Sequence, residues 1–258
     1  MNYSRVKLTT WVILANLLVP SCRQQPYSQS LSGFEIEQQL ITAYDEMIAA
    51  DPAVRYDSLA PNFRQAVIKA LSKNELFEYP FDSLATRLKM IRSLDGKLRV
   101  FSWDEKTGGS RHDFSAIAQY LSQKDEVVSR SINNFRTTGE KEYTEAGYYE
   151  IHILGAKADT KYLLLGWGTF GAGHQHYVAR ALEYQEGYLV DCDQCFEGKD
   201  FWPIVLSRRD KADLSFNPQA GTIKHKQFRE DEETGFYAPT GKVVELKWDG
   251  TAFQKSLK

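Results

Sequence analysis

From about residue 88 onward the apolar residues of this chain recur at every second position, and no helix-length pattern interrupts them. A period of two places alternate side chains on opposite faces of an extended strand. Lys89 to Leu94 and Lys97 to Trp103 flank Asp95-Gly96, a strong signal for a tight hairpin turn. Further strands are expected over 113–121, 126–133, 148–154, 161–167, 177–185, 188–192, 214–216, 222–228 and 242–248. Leu163, Leu164 and Leu165 are contiguous, so their strand should be buried on both faces. Strands at such short spacing pair antiparallel with their neighbours. The fold class expected is therefore α+β: a short N-terminal helical region packed on a predominantly antiparallel β body. That body is a meander, a sandwich or a partly closed barrel.

Ahead of the strands the period is helical. Ser32-Gly33-Phe34-Glu35 fits a capping box, and Ile36, Leu40, Tyr44 and Met47/Ile48 follow at helical spacing until Pro52. A second helix is expected from near Pro61, with Phe63, Val67, Ala70 and Leu71 on one face. A short helical turn should follow Pro80, opened by Asp82 or Ser83. Both longer helices read as packing elements.

The first residues carry a different message. Arg5 and Lys7 precede an apolar run from Leu8 to Val19. Its twelve residues would rise only about 18 Å as a helix, short of the roughly 30 Å hydrocarbon core. A basic start, a short apolar run and small residues after it describe a secretory signal. Val19-Pro20-Ser21-Cys22 resembles a bacterial lipobox, which implies that Cys22 is acylated and becomes the mature N-terminus. Pro20 departs from that pattern. Cleavage without a lipid and a buried N-terminal helix are the alternatives. The expected organisation is a signal peptide over 1–21, then the lipidated cysteine and a polar tether over 22–33. A helical region over 34–87 and a β region over 88–258 follow, with 34–258 as one globular unit. The location expected is the bacterial cell envelope, anchored to a membrane, with the outer membrane favoured and a secreted periplasmic form as the alternative.

Charge narrows the partners. The formal charge is −2, and loss of Arg5 and Lys7 with the leader makes it −4. No basic face is expected, so nucleic acid is excluded as a general partner. No cofactor is expected.

The segment from Asp95 to Phe114, DGKLRVFSWDEKTGGSRHDF, resembles a pattern in uncharacterised cell-envelope lipoproteins of Bacteroidetes, carried by its LRVFSWD block and glycine pair. The resemblance continues more weakly through GWGTFGAGHQHYVARALEY and GKVVELKWDGTAF. It implies an envelope location and this architecture, and transfers no catalytic residue.

Four constellations remain to be weighed. Cys192-Asp193-Gln194-Cys195 ends a strand and sits beside Asp191 and Asp193, which would raise a thiol pKa; it reads as a local disulfide more readily than as a redox pair. If Glu186-Gly187 turns a hairpin, pairing residues sum to about 373, which brings His174 and His176 toward Cys192 and Cys195. Two imidazoles and two thiolates suit a closed tetrahedral zinc site, the weak alternative for this region. Trp103, Asp104, Ser110 and His112 flank the loop Lys106 to Gly109 and form a candidate ligand loop; Asp104, Ser110 and His112 are also the types of a nucleophilic triad, without a supporting elbow motif. Gly166 to Gly173 reads as a wide connection, and with it 168–176 as a second ligand loop. The function expected is a non-catalytic module binding a glycan, peptide or protein partner. The alternative is a hydrolase whose acids and histidines converge only on folding, with or without zinc.

Overall fold

The Ser32 backbone N–H and hydroxyl both donate to the Glu35 carboxylate, at 2.7 and 2.8 Å, and the Glu35 N–H donates back to the hydroxyl oxygen. This reciprocal capping box opens α1 (Gly33–Ala49) where the sequence places it. The computed structural model describes residues 31–109, 111–133, 143–155, 160–169, 171 and 173–256. The leader, Cys22 and Ser110 lie outside the described residues.

The second helical segment starts earlier than its apolar face suggested. Pro52 ends the first helix and also opens the next, because the Asp51 side chain accepts from the Ala53 N–H at 2.9 Å. Proline leaves no N–H to satisfy there. From α2 (Pro52–Val54) the chain passes through a π-helical turn at Arg55–Leu59 into α3 (Ala60–Leu71), which buries Phe63, Val67, Ala70 and Leu71. The turn expected after Pro80 is a 3-10 turn at Leu84–Thr86.

Among the described residues three antiparallel sheets follow. The first is a meander of β1 (Lys89–Arg92), β2 (Leu98–Asp104), β3 (Phe114–Leu121) and β4 (Val127–Ser131). The second contains β5 (Gly147–Leu154), β6 (Lys161–Thr169), β7 (His174–Gln185) and β8 (Tyr188–Asp191), with β9 (Phe201–Ser207) returning to pair with β7. The third is a meander of β10 (Ser215–Asn217), β11 (Thr222–Glu230), β12 (Tyr237–Trp248) and β13 (Phe253–Lys255). Among the described residues none of the sheets closes into a barrel.

Strand alternation stacks these sheets. On β2, Phe101 and Trp103 meet the helices, while Leu98 and Val100 meet the second sheet. On β6, Leu164 faces the first sheet, and Leu163 and Leu165 face the third. The order of layers is helices, first sheet, second sheet, third sheet. The second sheet is enclosed on both faces, as its leucine run requires.

One strand was not among those expected, and two expectations need correction. Phe201–Ser207 is a strand despite Pro203; β9 lies at a sheet edge, where a proline without an N–H removes little of the ladder. Gly166 and Gly168 belong to β6 and not to a wide connection. Residues 174–176 likewise belong to β7, so most of the described part of 168–176 is strand. A Cβ on Gly168 would come within 2.3 Å of the His176 ring and 2.5 Å of the Glu145 carbonyl. Glycine there makes room across the ladder, where Gly168 pairs with His176.

Enclosing a sheet on both faces makes its polar groups costly unless they are paired. Arg180 is 2% exposed. Its guanidinium donates to both Asp191 oxygens at 2.7 and 2.9 Å, to the Tyr148 hydroxyl at 3.1 Å, and to the Ile132 carbonyl. One side chain thus joins β7 to β8, to β5 and to the end of the first sheet. Replacing Arg180 by Met should cost about 3–5 kcal/mol, because it strands the Asp191 charge and two buried acceptors. Urea unfolding of the variant against the parent chain measures this; a loss below about 1 kcal/mol would show that the network is dispensable.

Candidate functional site

Alternation continues past the end of β2 and puts Asp104 and Glu105 on opposite faces. The ladder closes there, with Asp104 opposite Phe114 and the Glu105 N–H donating to the Asp113 carbonyl at 2.9 Å. The loop beyond is held from below by Arg55. Its guanidinium donates to the Met47, Ile48 and Ala50 carbonyls at 2.8–2.9 Å, satisfying the C-terminal end of α1. It also donates to the Lys106 carbonyl at 2.8 Å, so one side chain fixes the loop against the helix end.

Asp104 organises one face. Its carboxylate accepts from the Lys106 backbone N–H at 2.8 Å and from Lys106 Nζ at 2.7 Å, and it meets His112 Nδ1 at 2.5 Å. The first bond holds Lys106 in the left-handed region, at φ 57°. Burial by itself would raise the Asp104 pKa, but the hydrogen bonds from Lys106 and His112 outweigh it and hold the acid below its ordinary value. The His112 ring stacks on Phe114 with centroids 6.1 Å apart, and its backbone N–H donates to the Thr169 hydroxyl at 2.8 Å. Phe114 in turn meets Trp167 edge to face.

A recess of about 370 Å³ opens beside this group. Tyr44, Phe114, Tyr149 and Trp167 give it aromatic walls, and Arg87, Lys89, Asp104 and Lys106 carry its charges. Trp103 contributes to the wall but is 3% exposed, with its ring 5.1 Å from Phe63 in the core beneath the helices. Its ring packs mainly into that core and offers the recess little surface.

Glu105 organises the opposite face. Arg64 of α3 approaches both of its oxygens at 2.5 and 2.6 Å, and Ser115 donates to it as well. Burial nevertheless raises its pKa. Glu145 and Asp113 line the same recess, the first paired with Arg111 at 2.7 Å and the second accepting from Thr107 at 2.8 Å. This second recess is acidic and held together by its own ion pairs.

Of the four ligand-loop candidates, folding joins Asp104 and His112 and packs Trp103 between the recess wall and the core, and Ser110 lies outside the described residues. Among those residues no hydroxyl or thiol is bonded to the His112 ring. The histidine–cysteine set does not assemble. Cys192 and Cys195 are joined by a disulfide and packed between the second and third sheets. The expected register is present, with Leu182 opposite Asp191, but the chain turns away after Asp191 and β9 takes the place opposite His174 to Arg180. His174 lies against the rings of Phe236 and Tyr237, and His176 is buried beside Gly168. No group of His, Cys, Asp and Glu suited to a metal forms among the described residues. No helix among them is long and apolar enough to cross a membrane.

Tyr44, Lys89 and Trp167 were not singled out from sequence. For Lys89 a signal existed, since the Asp95-Gly96 turn fixes its position opposite Ser102. For Tyr44 and Trp167 there was none, because α1 and β6 meet this loop only through the stacking of layers. Comparison of the chain with known proteins finds no matching family model, no matching curated protein and no matching solved structure.

Two titrations are expected. Asp104→Asn should cost about 1–2 kcal/mol near pH 7 through its charge-assisted bonds. Because the folded pKa is depressed, that contribution is complete above the unfolded value near 4 and fades as pH falls through the folded one, so the variant and parent should converge in acid. His176 behaves differently. Burial, with the Arg111 charge adding to it, lowers its pKa to about 3. An unfolded histidine takes a proton near pH 6.5, so the stability held by the neutral ring is complete above that pH and is lost as pH falls toward 3. Between pH 6.5 and 5 the parent should lose about 1.6 kcal/mol in all more than His176→Gln. Parallel urea-unfolding curves for the two proteins across that interval would count against a neutral buried His176.

Proposed function

We propose that this chain is a bacterial envelope lipoprotein, anchored through acylated Cys22, whose body is a non-catalytic module binding a glycan in the recess beside Asp104. The observation that carries the reading is the recess itself. Aromatic walls give apolar faces for sugar C–H groups, and fixed charged groups beside them give directional partners for hydroxyls. Lys106 and His112 are each bonded to Asp104, so little ordering cost opposes binding. The envelope location rests on the leader, the Cys22 motif and the resemblance of the LRVFSWD block.

A hydrolase is the second reading, favoured by the Asp104–His112 contact. A carboxylate on Nδ1 is how an imidazole base is oriented in nucleophilic catalysis. It lacks a nucleophile or substrate-activating partner among the described residues.

Labelling of bacteria with a radioactive fatty acid should mark the full chain and fail to mark Cys22→Ala. Purified protein screened against oligosaccharide and peptide panels should gain a few degrees in melting temperature with a sugar ligand at saturation. Trp167→Ala should lose that gain. Hydrolysis of the bound sugar, abolished by His112→Ala, would replace the binding reading with the catalytic one. Stabilisation by peptides alone would remove the glycan reading.

A further inference from the structure

We infer that the sugar taken by this recess carries a carboxylate, which makes the ligand a glycan containing hexuronate or a related acidic sugar. The inference rests on the proposed glycan reading and concerns the charge the recess selects. Three cations, Arg87, Lys89 and Lys106, share its wall with a single carboxylate, Asp104. The three are not equally committed. Lys106 Nζ is held by Asp104 at 2.7 Å, and the Arg87 guanidinium is held by Asp45 at 3.0 Å, from outside the recess. Lys89 is exposed on β1 and has no ion pair among the described residues.

The recess without ligand therefore carries an excess of positive charge, centred on an ammonium with three donors to offer. A neutral sugar would leave that ammonium with water. A carboxylate on the ring would meet it, and would draw on the remaining donors of Lys106 and Arg87. Its hydroxyls would still face Asp104 and its ring the aromatic walls. The acidic recess on the other side of the loop, behind Glu105, adds the opposite selection. It offers an anionic chain no favourable path in that direction, so an acidic glycan should run away from Glu145 and along the β1 side.

The test is titration calorimetry on the purified full chain in detergent, with a trigalacturonide and the matching neutral trigalactoside. An ion pair at an exposed ammonium distinguishes the two by about threefold. The acidic trisaccharide should bind at least that much tighter, and its affinity should fall as salt is raised. Lys89→Met should weaken its binding about threefold without changing the melting temperature, since Lys89 is exposed. Lys242→Met, on the β11–β12 hairpin outside the recess, should leave it unchanged. Equal affinity for the two sugars would overturn the acidic selection and leave the glycan reading standing. Binding of neither sugar, or of a tetraglutamate peptide in their place, would overturn both.

Discussion

The second sheet is enclosed on both faces, and the rest of the molecule is arranged around that constraint. A sheet covered on one side only needs alternating residues; one covered on both needs apolar side chains at successive positions, which β6 supplies as Leu163, Leu164 and Leu165. Its polar positions are then satisfied from within. Arg180 takes Asp191, Tyr148 and the Ile132 carbonyl, and Gln175 takes the Trp167 indole N–H and the carbonyls of Ser207 and Asp210. The network of Arg180 also ties neighbouring strands to β7, so the same pairing that permits burial orders the layers.

The first sheet solves a related problem on its helical face. Arg99 is 2% exposed there and has no carboxylate hydrogen-bonded to it among the described residues. It donates to the Leu76 and Tyr79 carbonyls and to Gln119, and the rings of Phe77, Phe81 and Phe101 lie about its guanidinium at 5.5–5.7 Å. Gln119 passes the chain of bonds on to the Leu71 carbonyl at the end of α3. Burial, with Arg92 nearby, lowers the Arg99 pKa to about 10, which leaves it charged at neutral pH. The helices are thus docked by carbonyl acceptors and aromatic faces as well as by apolar packing. Arg55 extends the same device to the end of α1 and fixes the loop that carries Asp104.

That loop has two chemistries because a strand has two faces. Asp104 and Glu105 are sequence neighbours, yet one joins an aromatic recess with excess positive charge and the other an acidic recess bound to Arg64. A single fixed loop can therefore favour an anion on one side and oppose it on the other. Rigidity comes from hydrogen bonds to backbone groups at both ends, through Asp104 to Lys106 and through Thr169 to His112.

The sequence by itself determined what depends on short-range chemistry. The Ser32–Glu35 cap, the Asp95-Gly96 and Glu186-Gly187 turns, the register they set and the double burial of the leucine run all follow from residues close in the chain. Beyond that reach the sequence misled or fell silent. β9 was not among the expected strands, and nothing local says that a segment carrying Pro203 will lie at an edge where its missing N–H matters little. The glycines at 166 and 168 resembled a connection, because their purpose is to admit Tyr148 and His176 from neighbouring strands. Asp104 and His112 were legible as partners across a hairpin. The recess was not, since Tyr44, Lys89 and Trp167 come from a helix and two sheets that meet only when the layers stack. Local geometry is written in propensity and period; a cavity is written in which buried faces find each other, and only the tertiary structure decides that.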